Sequence, residues 1–420
     1  MSEHLVGLIE GFYGPPWSWT SRGEVAGWCA DRGMTDYVYA PKDDPKHRER
    51  WRDPYDGLEL EGFAGFAVDG ALRLGFAISP GLSIDCSSGA DRAVLGAKVD
   101  QVVEAGAAAV VLALDDIPFG GGPQGEEHAS LTAWLHDHLA GRAHLSLVPT
   151  EYVGTARSPY LDALAAGVPP EVPIGWTGRA VVNDRITTAD AEARAAALGG
   201  RPPLLWDNYP VNDGLMVDRL FLGPLRGRDP DLPAACAGYL ANPMVQARAS
   251  RLPLASIAAW LRGDDPEAAW AQTAGDLGWL AFARACDTRA AHDVVARAAG
   301  GDLGPARAYF AEAAACAAPG LQEEAEHWLA QVHRDAGLAL SALELLDGDT
   351  GLGVALAVAV GWQASRRSKV TVFGSRCSVR PVLGQAADGT WTFDPSSITH
   401  DDNAIDLLID ATLGSLPTIV

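Results

Sequence analysis

Between residue 5 and about residue 262 the chain repeats one unit eight times: a short apolar run, a polar cluster punctuated by Gly or Pro, then a stretch with helical spacing. Such alternation is the signature of parallel βαβ units. Strands are expected at Leu5–Ile9, Asp36–Ala40, Leu72–Ser79, Ala107–Leu114, Leu145–Pro149, Val172–Trp176, Leu204–Trp206 and Cys236–Leu240. The fourth is apolar at every position, as a strand wrapped by helices requires. Before it, Asp91 can cap a helix whose Leu95, Val99, Val102 and Val103 share a face, and Gly106 can end it. The polar clusters follow the strands at their C-terminal ends, and in an eight-stranded barrel all of them converge on one rim. The expected fold class is therefore α/β: a (β/α)8 TIM barrel over residues 1–262, a helical-bundle domain over 263–368 and a small β-rich C-terminal α/β segment over 369–420. In that last segment Asp388-Gly389 reads as a turn, with helical sequence after it.

Composition supports a folded chain, with 48% hydrophobic and 20% charged residues. The balance of 32 basic against 54 acidic residues gives a net charge of −22, which repels phosphate backbones and anionic lipid. Nucleic acid and membrane surfaces are poor partners for it. The start, through Glu10, lacks the basic and apolar regions of a secretion signal. The most apolar later stretch, Gly351 to Trp362, is too short to span a bilayer and reads as a buried helix. Six cysteines with no C-x-x-C pair give neither a zinc spacing nor a compact disulfide framework. Reduced thiols in a bacterial-type cytoplasm are the expectation.

The residues suited to chemistry sit at the strand ends. Asp115 and Asp116 close a wholly apolar strand, so the hydrophobic wall drives both carboxylates to the rim. Two adjacent carboxylates do not both ionise freely in a low-dielectric site, so one can hold a proton as general acid while the other stays charged. Helix capping or loop solvation is the competing use of such a pair. Lys42 lies just past the second strand, and Asn208 and Asp213 flank Tyr209-Pro210 after Trp206. Short amides and carboxylates beside aromatic faces suit sugar hydroxyls, although Asx turns use the same residues. Phe12, Tyr13, Tyr152, Trp176 and Trp206 add aromatic faces.

Seven strings, in order, carry a resemblance: Ile-Glu-Gly-Phe-Tyr-Gly-Pro-Pro-Trp-Ser (9–18), Tyr-Ala-Pro-Lys-Asp-Asp-Pro-Lys-His-Arg (39–48), Leu-Asp-Asp-Ile (114–117), Pro-Thr-Glu-Tyr (149–152), Trp-Thr-Gly (176–178), Trp-Asp-Asn-Tyr-Pro-Val-Asn-Asp (206–213) and Asn-Pro-Met (242–244). Together they resemble glycoside hydrolase family 84, the O-GlcNAcase and bacterial β-N-acetylglucosaminidase family. The resemblance is strong over residues 5–262 and looser over the helical stretch.

What it implies is a retaining exo-β-N-acetylglucosaminidase acting through a substrate-derived oxazoline. By that resemblance Asp115 orients and deprotonates the 2-acetamido N–H, and Asp116 protonates the leaving oxygen and later activates water. The Gly11 backbone and Lys42 would bind sugar hydroxyls, with Phe12 beside them. Tyr152 and Asn208 would bind the acetamido group, Trp206 would wall its pocket, and Asp213 and Asn242 would meet O4 and O6. The partner implied is a β-linked N-acetylglucosamine glycoside or glycoconjugate, with no cofactor and no metal. The sequence departs from the family at Arg179, where proline is more usual, and Arg179 could touch the leaving group or be solvated. Two other readings compete: a magnesium-dependent barrel enzyme using Asp43, Asp44, Asp85, Asp115 and Asp116, and a non-catalytic N-acetylhexosamine-binding barrel.

Overall fold

The computed structural model describes residues 5–348, 352–365, 368, 370–374, 377–379, 383–385, 391–393, 398–400 and 403–414. Eight strands, β1 (Val6–Glu10), β2 (Asp36–Tyr39), β3 (Arg73–Ile78), β4 (Ala109–Ala113), β5 (His144–Val148), β6 (Ile174–Trp176), β7 (Pro203–Asp207) and β8 (Gly238–Ala241), form a closed parallel barrel. They pair in sequence order, and β8 returns to β1 with Val6 opposite Tyr239 and Leu8 opposite Ala241. All eight expected strands are present. The last begins later than expected because Leu232–Ala235 forms a 3-10 turn and the Cys236 N–H closes onto the Pro233 carbonyl.

Seven helices cover the barrel: α1 (Trp19–Ala30), α2 (Gly57–Asp69), α3 (Gly89–Glu104), α4 (Gly121–Leu139), α5 (Pro159–Gly167), α6 (Thr188–Ala197) and α7 (Ala247–Leu261). Their starts follow local capping chemistry. Ser18, Asp56, Ser88, Ser158 and Thr187 each accept a first-turn backbone N–H, and Asp56–Glu59 and Thr187–Asp190 make full capping boxes. Asp91 does not cap α3, contrary to expectation: Ser88 does, and Asp91 in the first turn is drawn to Arg52 at 2.6 Å.

Strand alternation divides the core. Ile9, Val38, Ala77, Val111, Ala113, Val148, Leu204, Trp206 and Leu240 form an apolar cluster inside the barrel, whereas Leu8, Tyr37, Phe76, Val110, Leu112, Leu147, Leu205 and Tyr239 pack outward on the helices. Continued past the strand ends, the inward phase reaches Gly11, Lys42, Ser79, Asp115, Asn208 and Asn242. The outward phase reaches Glu10 and Asp207, both buried: Glu10 pairs with Arg22 at 2.8 Å, and Asp207 with Arg228 at 2.7 Å.

Six further helices follow the barrel: α8 (Pro266–Asp276), α9 (Leu280–Cys286), α10 (Thr288–Ala299), α11 (Leu303–Ala314), α12 (Gln322–Leu346) and α13 (Leu352–Ser365). They share an apolar core with Leu220, Leu222, Met244 and Leu252 of the barrel unit. The Trp270 indole donates to the Leu222 carbonyl at 2.6 Å, and Glu324 of α12 accepts two first-turn N–H groups of α7. In α13, Val358 and Trp362 are buried and Val360 is exposed, so the helix expected to be buried is buried only in part. Beyond it β9 (Cys377–Val379) pairs with β12 (Ile398–His400), and β10 (Leu383–Gln385) with β11 (Trp391–Phe393). The expected Asp388-Gly389 turn lies outside the described residues, and α14 (Ala404–Gly414) packs into the helical core. No helix among the described residues is long and apolar enough to cross a membrane.

Candidate active site

Asp115 continues the inward phase of β4, so its carboxylate stands at the barrel mouth and is nearly buried, with 9% of the side chain exposed. Lys42, in the same phase of β2, places its ammonium 2.5 Å from Asp115 Oδ2 and is itself 2% exposed. The other carboxylate oxygen, Oδ1, is buried without a hydrogen-bond partner. An unmade bond of that kind costs stability, so it marks either strain or a waiting ligand contact.

In an extended strand Asp116 would face the opposite way. Instead its φ is 53°, a left-handed conformation that Asp tolerates better than most residues. The turn exposes its carboxylate at the mouth, where the Tyr13 hydroxyl donates to Oδ2 at 2.9 Å and the Tyr152 hydroxyl to Oδ1 at 2.8 Å. Burial, then the Asp116 charge, pushes both phenols above their ordinary range and keeps them protonated donors. The Tyr13 backbone N–H donates to Asp213 at 2.7 Å, and burial raises the Asp213 carboxyl above its usual range.

The far wall is neutral. Trp206 Nε1 donates to Asn208 Oδ1 at 2.9 Å, Asn242 Nδ2 donates to the same oxygen at 2.9 Å, and the Gly11 N–H donates to Asn242 Oδ1 at 3.2 Å. Asn208 Nδ2 is spent on the Val181 carbonyl at 2.8 Å. Gly11 is needed because a Cβ there would lie 2.3 Å from Trp206 Cζ2. The Lys42 ammonium stands 5.9 Å from the Trp206 ring centroid, which joins the two walls.

Gly11, Lys42, Asp115, Asp116, Tyr152, Trp206, Asn208, Asp213 and Asn242 are thus linked around one mouth. Phe12 is not among them in the way expected: its ring is fully buried beside Trp17, and only its carbonyl, accepting from the Lys42 N–H at 3.3 Å, contacts that group. Trp176 is fully buried as well. Arg179 reaches Asp190 at 2.5 Å and is committed to the start of α6. The carboxylates of the magnesium reading are dispersed: Asp44 accepts from Tyr39 and Tyr55, Asp85 from Ser87, and Asp115 from Lys42. Among the described residues no three Asp, Glu, His or Cys side chains are grouped to hold a metal ion.

Two polar contacts escaped sequence reasoning. The Tyr13 hydroxyl was read only as an aromatic face, and Arg48 was passed over in its motif. Arg48 is 8% exposed and donates to Ser79 Oγ at 3.1 Å and to the Asp116 carbonyl at 2.9 Å.

Residues 6–285 match the model of a family described as beta-N-acetylglucosaminidase. Over 277 residues, 62% of the chain, the sequence is 33% identical to Protein O-GlcNAcase of Rattus norvegicus, and equally to that of Mus musculus. The match spans only 30% of the length of those relatives. The fold is similar to that of an O-GlcNAc hydrolase of Thermobaculum terrenum, with a TM-score of 0.77, 24% identity, and coverage of 87% of this chain and 91% of that one.

Proposed function

Because the chain belongs to the beta-N-acetylglucosaminidase family of glycoside hydrolases, we propose that it is a retaining exo-β-N-acetylglucosaminidase of O-GlcNAcase type, using the substrate's own acetamido group as nucleophile. The observation that carries this reading is the Asp115 carboxylate, held by Lys42 on one oxygen and left without a partner on the other. A 2-acetamido N–H is the kind of donor that the free oxygen lacks. Asp115 accepts that N–H, orients the amide oxygen toward the anomeric carbon, and takes the proton as the carbon–oxygen bond forms. Lys42 pairs with the other oxygen of Asp115 and stands within reach of a ring hydroxyl.

Asp116 delivers a proton to the glycosidic oxygen, which leaves with the electron pair of the broken bond. The bicyclic oxazoline that results is opened by water as Asp116 takes the water proton and Asp115 returns the amide proton. Two inversions at one carbon give net retention, without an enzyme nucleophile. The amide N–H and the glycosidic oxygen sit on neighbouring carbons, which suits two consecutive aspartates turned to one opening. Tyr13 and Tyr152 hold the Asp116 oxygens between proton transfers. Tyr152, Trp206 and Asn208 enclose the acetamido methyl and carbonyl, while Gly11, Asp213 and Asn242 take the hydroxyls on the far side of the ring. Asp213 at O4 favours N-acetylglucosamine over its 4-epimer. Phe12 serves through its backbone.

The substrate is a β-linked N-acetylglucosaminide on a protein or other glycoconjugate. A cytoplasmic setting is supported by the free thiols Cys29, Cys86, Cys236, Cys286 and Cys316. The test is nitrophenol release from the aryl β-N-acetylglucosaminide by wild type and Asp115→Asn, each with and without chelator. Wild-type turnover that falls about a hundredfold or more in the variant is expected. No turnover by folded wild type sinks the proposal, and loss of turnover with chelator alone reinstates a metal enzyme.

A further inference from the structure

The second half of the Pro41–Arg48 motif carries none of the sugar contacts assigned above, yet it is held as firmly as the Lys42 half. Asp44 accepts from the Tyr39 and Tyr55 hydroxyls at 2.8 and 2.7 Å, anchoring the loop to the outer wall. His47 is fully buried, with Nδ1 on the Ala77 carbonyl at 2.8 Å, and its own carbonyl accepts from the Ser79 N–H at 2.9 Å. These bonds fix the base of Arg48 against the end of β3. Its guanidinium then forks, with Nη1 on Ser79 Oγ and Nη2 on the Asp116 carbonyl. One loop therefore ties the ends of β2, β3 and β4 together at the residue whose backbone departs from the strand.

That departure needs support. Left-handed backbone is uncommon outside glycine and persists where its surroundings over-determine it. The two tyrosines grip the Asp116 carboxylate, but Arg48 grips the peptide whose rotation decides which way the side chain points. We propose that Arg48 is a positioning residue: anchored on Ser79, it holds the Asp116 carbonyl and so the left-handed turn that brings the second carboxylate round beside the first. The inference rests on the reading of Asp116 as the proton donor. Arginine is required because a rigid planar fork spans both acceptors at once, whereas a lysine ammonium on a flexible stem does not hold that spacing. A slack turn lets the carboxylate swing away from the glycosidic oxygen and leaves Asp115, Lys42 and the amide wall in place.

The test compares Arg48→Lys and Arg48→Ala with wild type on two aryl β-N-acetylglucosaminides, one with a very good leaving group and one with a poor one. Each is also made in an Asp116→Asn background. Only the poor leaving group needs a proton, so both variants are expected to lose about tenfold or more in kcat on it beyond any loss on the good one. KM should stay within a few-fold, and added guanidinium should partly restore Arg48→Ala on the poor leaving group alone. In the Asp116→Asn background neither variant should add to the discrimination. Equal losses on both substrates, or discrimination that persists without the Asp116 carboxylate, overturn the inference. If Asp116→Asn alone fails to discriminate, the parent reading falls and this one with it. Discrimination by Asp116→Asn and none by Arg48→Lys overturns this one alone. Should the Arg48 variants fail to fold, Ser79→Ala removes the anchor instead: a smaller change in the same ratio supports the inference, and an unchanged ratio refutes it.

Discussion

One side of the barrel mouth is lined with charge and phenols and the other with neutral amides, an indole and a glycine, and Asp213 stands at the seam between them, accepting from the Tyr13 N–H. On the first side the bonds converge on two aspartates: Lys42 on Asp115, Tyr13 and Tyr152 on Asp116. On the second, Trp206, Asn208, Asn242 and Gly11 satisfy one another in a chain without an ion. Charges can move protons and respond to charge that develops in a reaction, while a closed amide chain on a packed indole keeps its shape throughout. The two sides therefore separate along kinetic lines. Damage to the first should appear in kcat, and damage to the second chiefly in KM.

The largest effect is expected from Lys42→Met. It strips the partner from a carboxylate that is 9% exposed, so the lone buried charge costs about 3–5 kcal/mol or takes up a proton. Once protonated, Asp115 can no longer receive the acetamido proton, and left charged it loses the partner that fixes its orientation. Steady-state assays should show kcat reduced about a hundredfold or more, with a lowered melting temperature. A variant that changed KM alone would erase the distinction between the two walls.

Next comes Asn242→Ala, which deletes the bonds to Asn208 and to the Gly11 N–H. Loss of about 1–3 kcal/mol of binding and preorganisation is expected, a rise in KM of about tenfold to a hundredfold with kcat within a few-fold. Product binding measured by calorimetry should weaken in parallel. A fall in kcat with unchanged KM would place Asn242 on the chemical side instead.

The smallest effect concerns stability, and it sharpens the same contrast because the amide wall has nothing that titrates. His47, beneath the charged wall, has its pKa pushed down to about 3 by burial and then by Lys42. An unfolded histidine near 6.5 takes up a proton first as pH falls, so stability is full above about 6.5 and is lost progressively below it, down to the folded value. Between pH 7 and pH 5 this one group costs about 2 kcal/mol. Denaturant unfolding at the two pH values measures it, and His47→Asn should remove that part of the slope. His128, pushed to about 4 by burial in α4, adds a loss of the same sign. An unfolding free energy independent of pH would show that neither ring is held neutral.

The barrel was legible because its strands are apolar on both faces and end in polar clusters, a pattern that few other folds produce. The inward phase was legible too, and it leads from Val111 and Ala113 to Asp115, from Val38 and Ala40 to Lys42, and from Leu204 and Trp206 to Asn208. Asp116 breaks that alternation, and only the left-handed backbone explains why it joins the site. Phe12 was placed among the sugar-binding residues by the resemblance, whereas its ring is core, fully buried against Trp17. Arg48 was invisible because an arginine in a charged loop looks solvated unless its acceptors are known. They are Ser79 and the Asp116 carbonyl, 31 and 68 residues away in sequence.

The central claim is that the nucleophile belongs to the substrate and that Asp115 and Asp116 only manage its protons. It is tested most directly by kcat/KM for aryl β-glucosaminides whose N-acetyl group carries zero, one, two or three fluorines. Fluorine draws electrons from the amide oxygen and leaves the leaving group unchanged, so the rate should fall steeply with each substitution, by orders of magnitude across the series. A rate that stays flat would mean that the amide oxygen forms no bond to the anomeric carbon, and that an enzyme carboxylate attacks it instead.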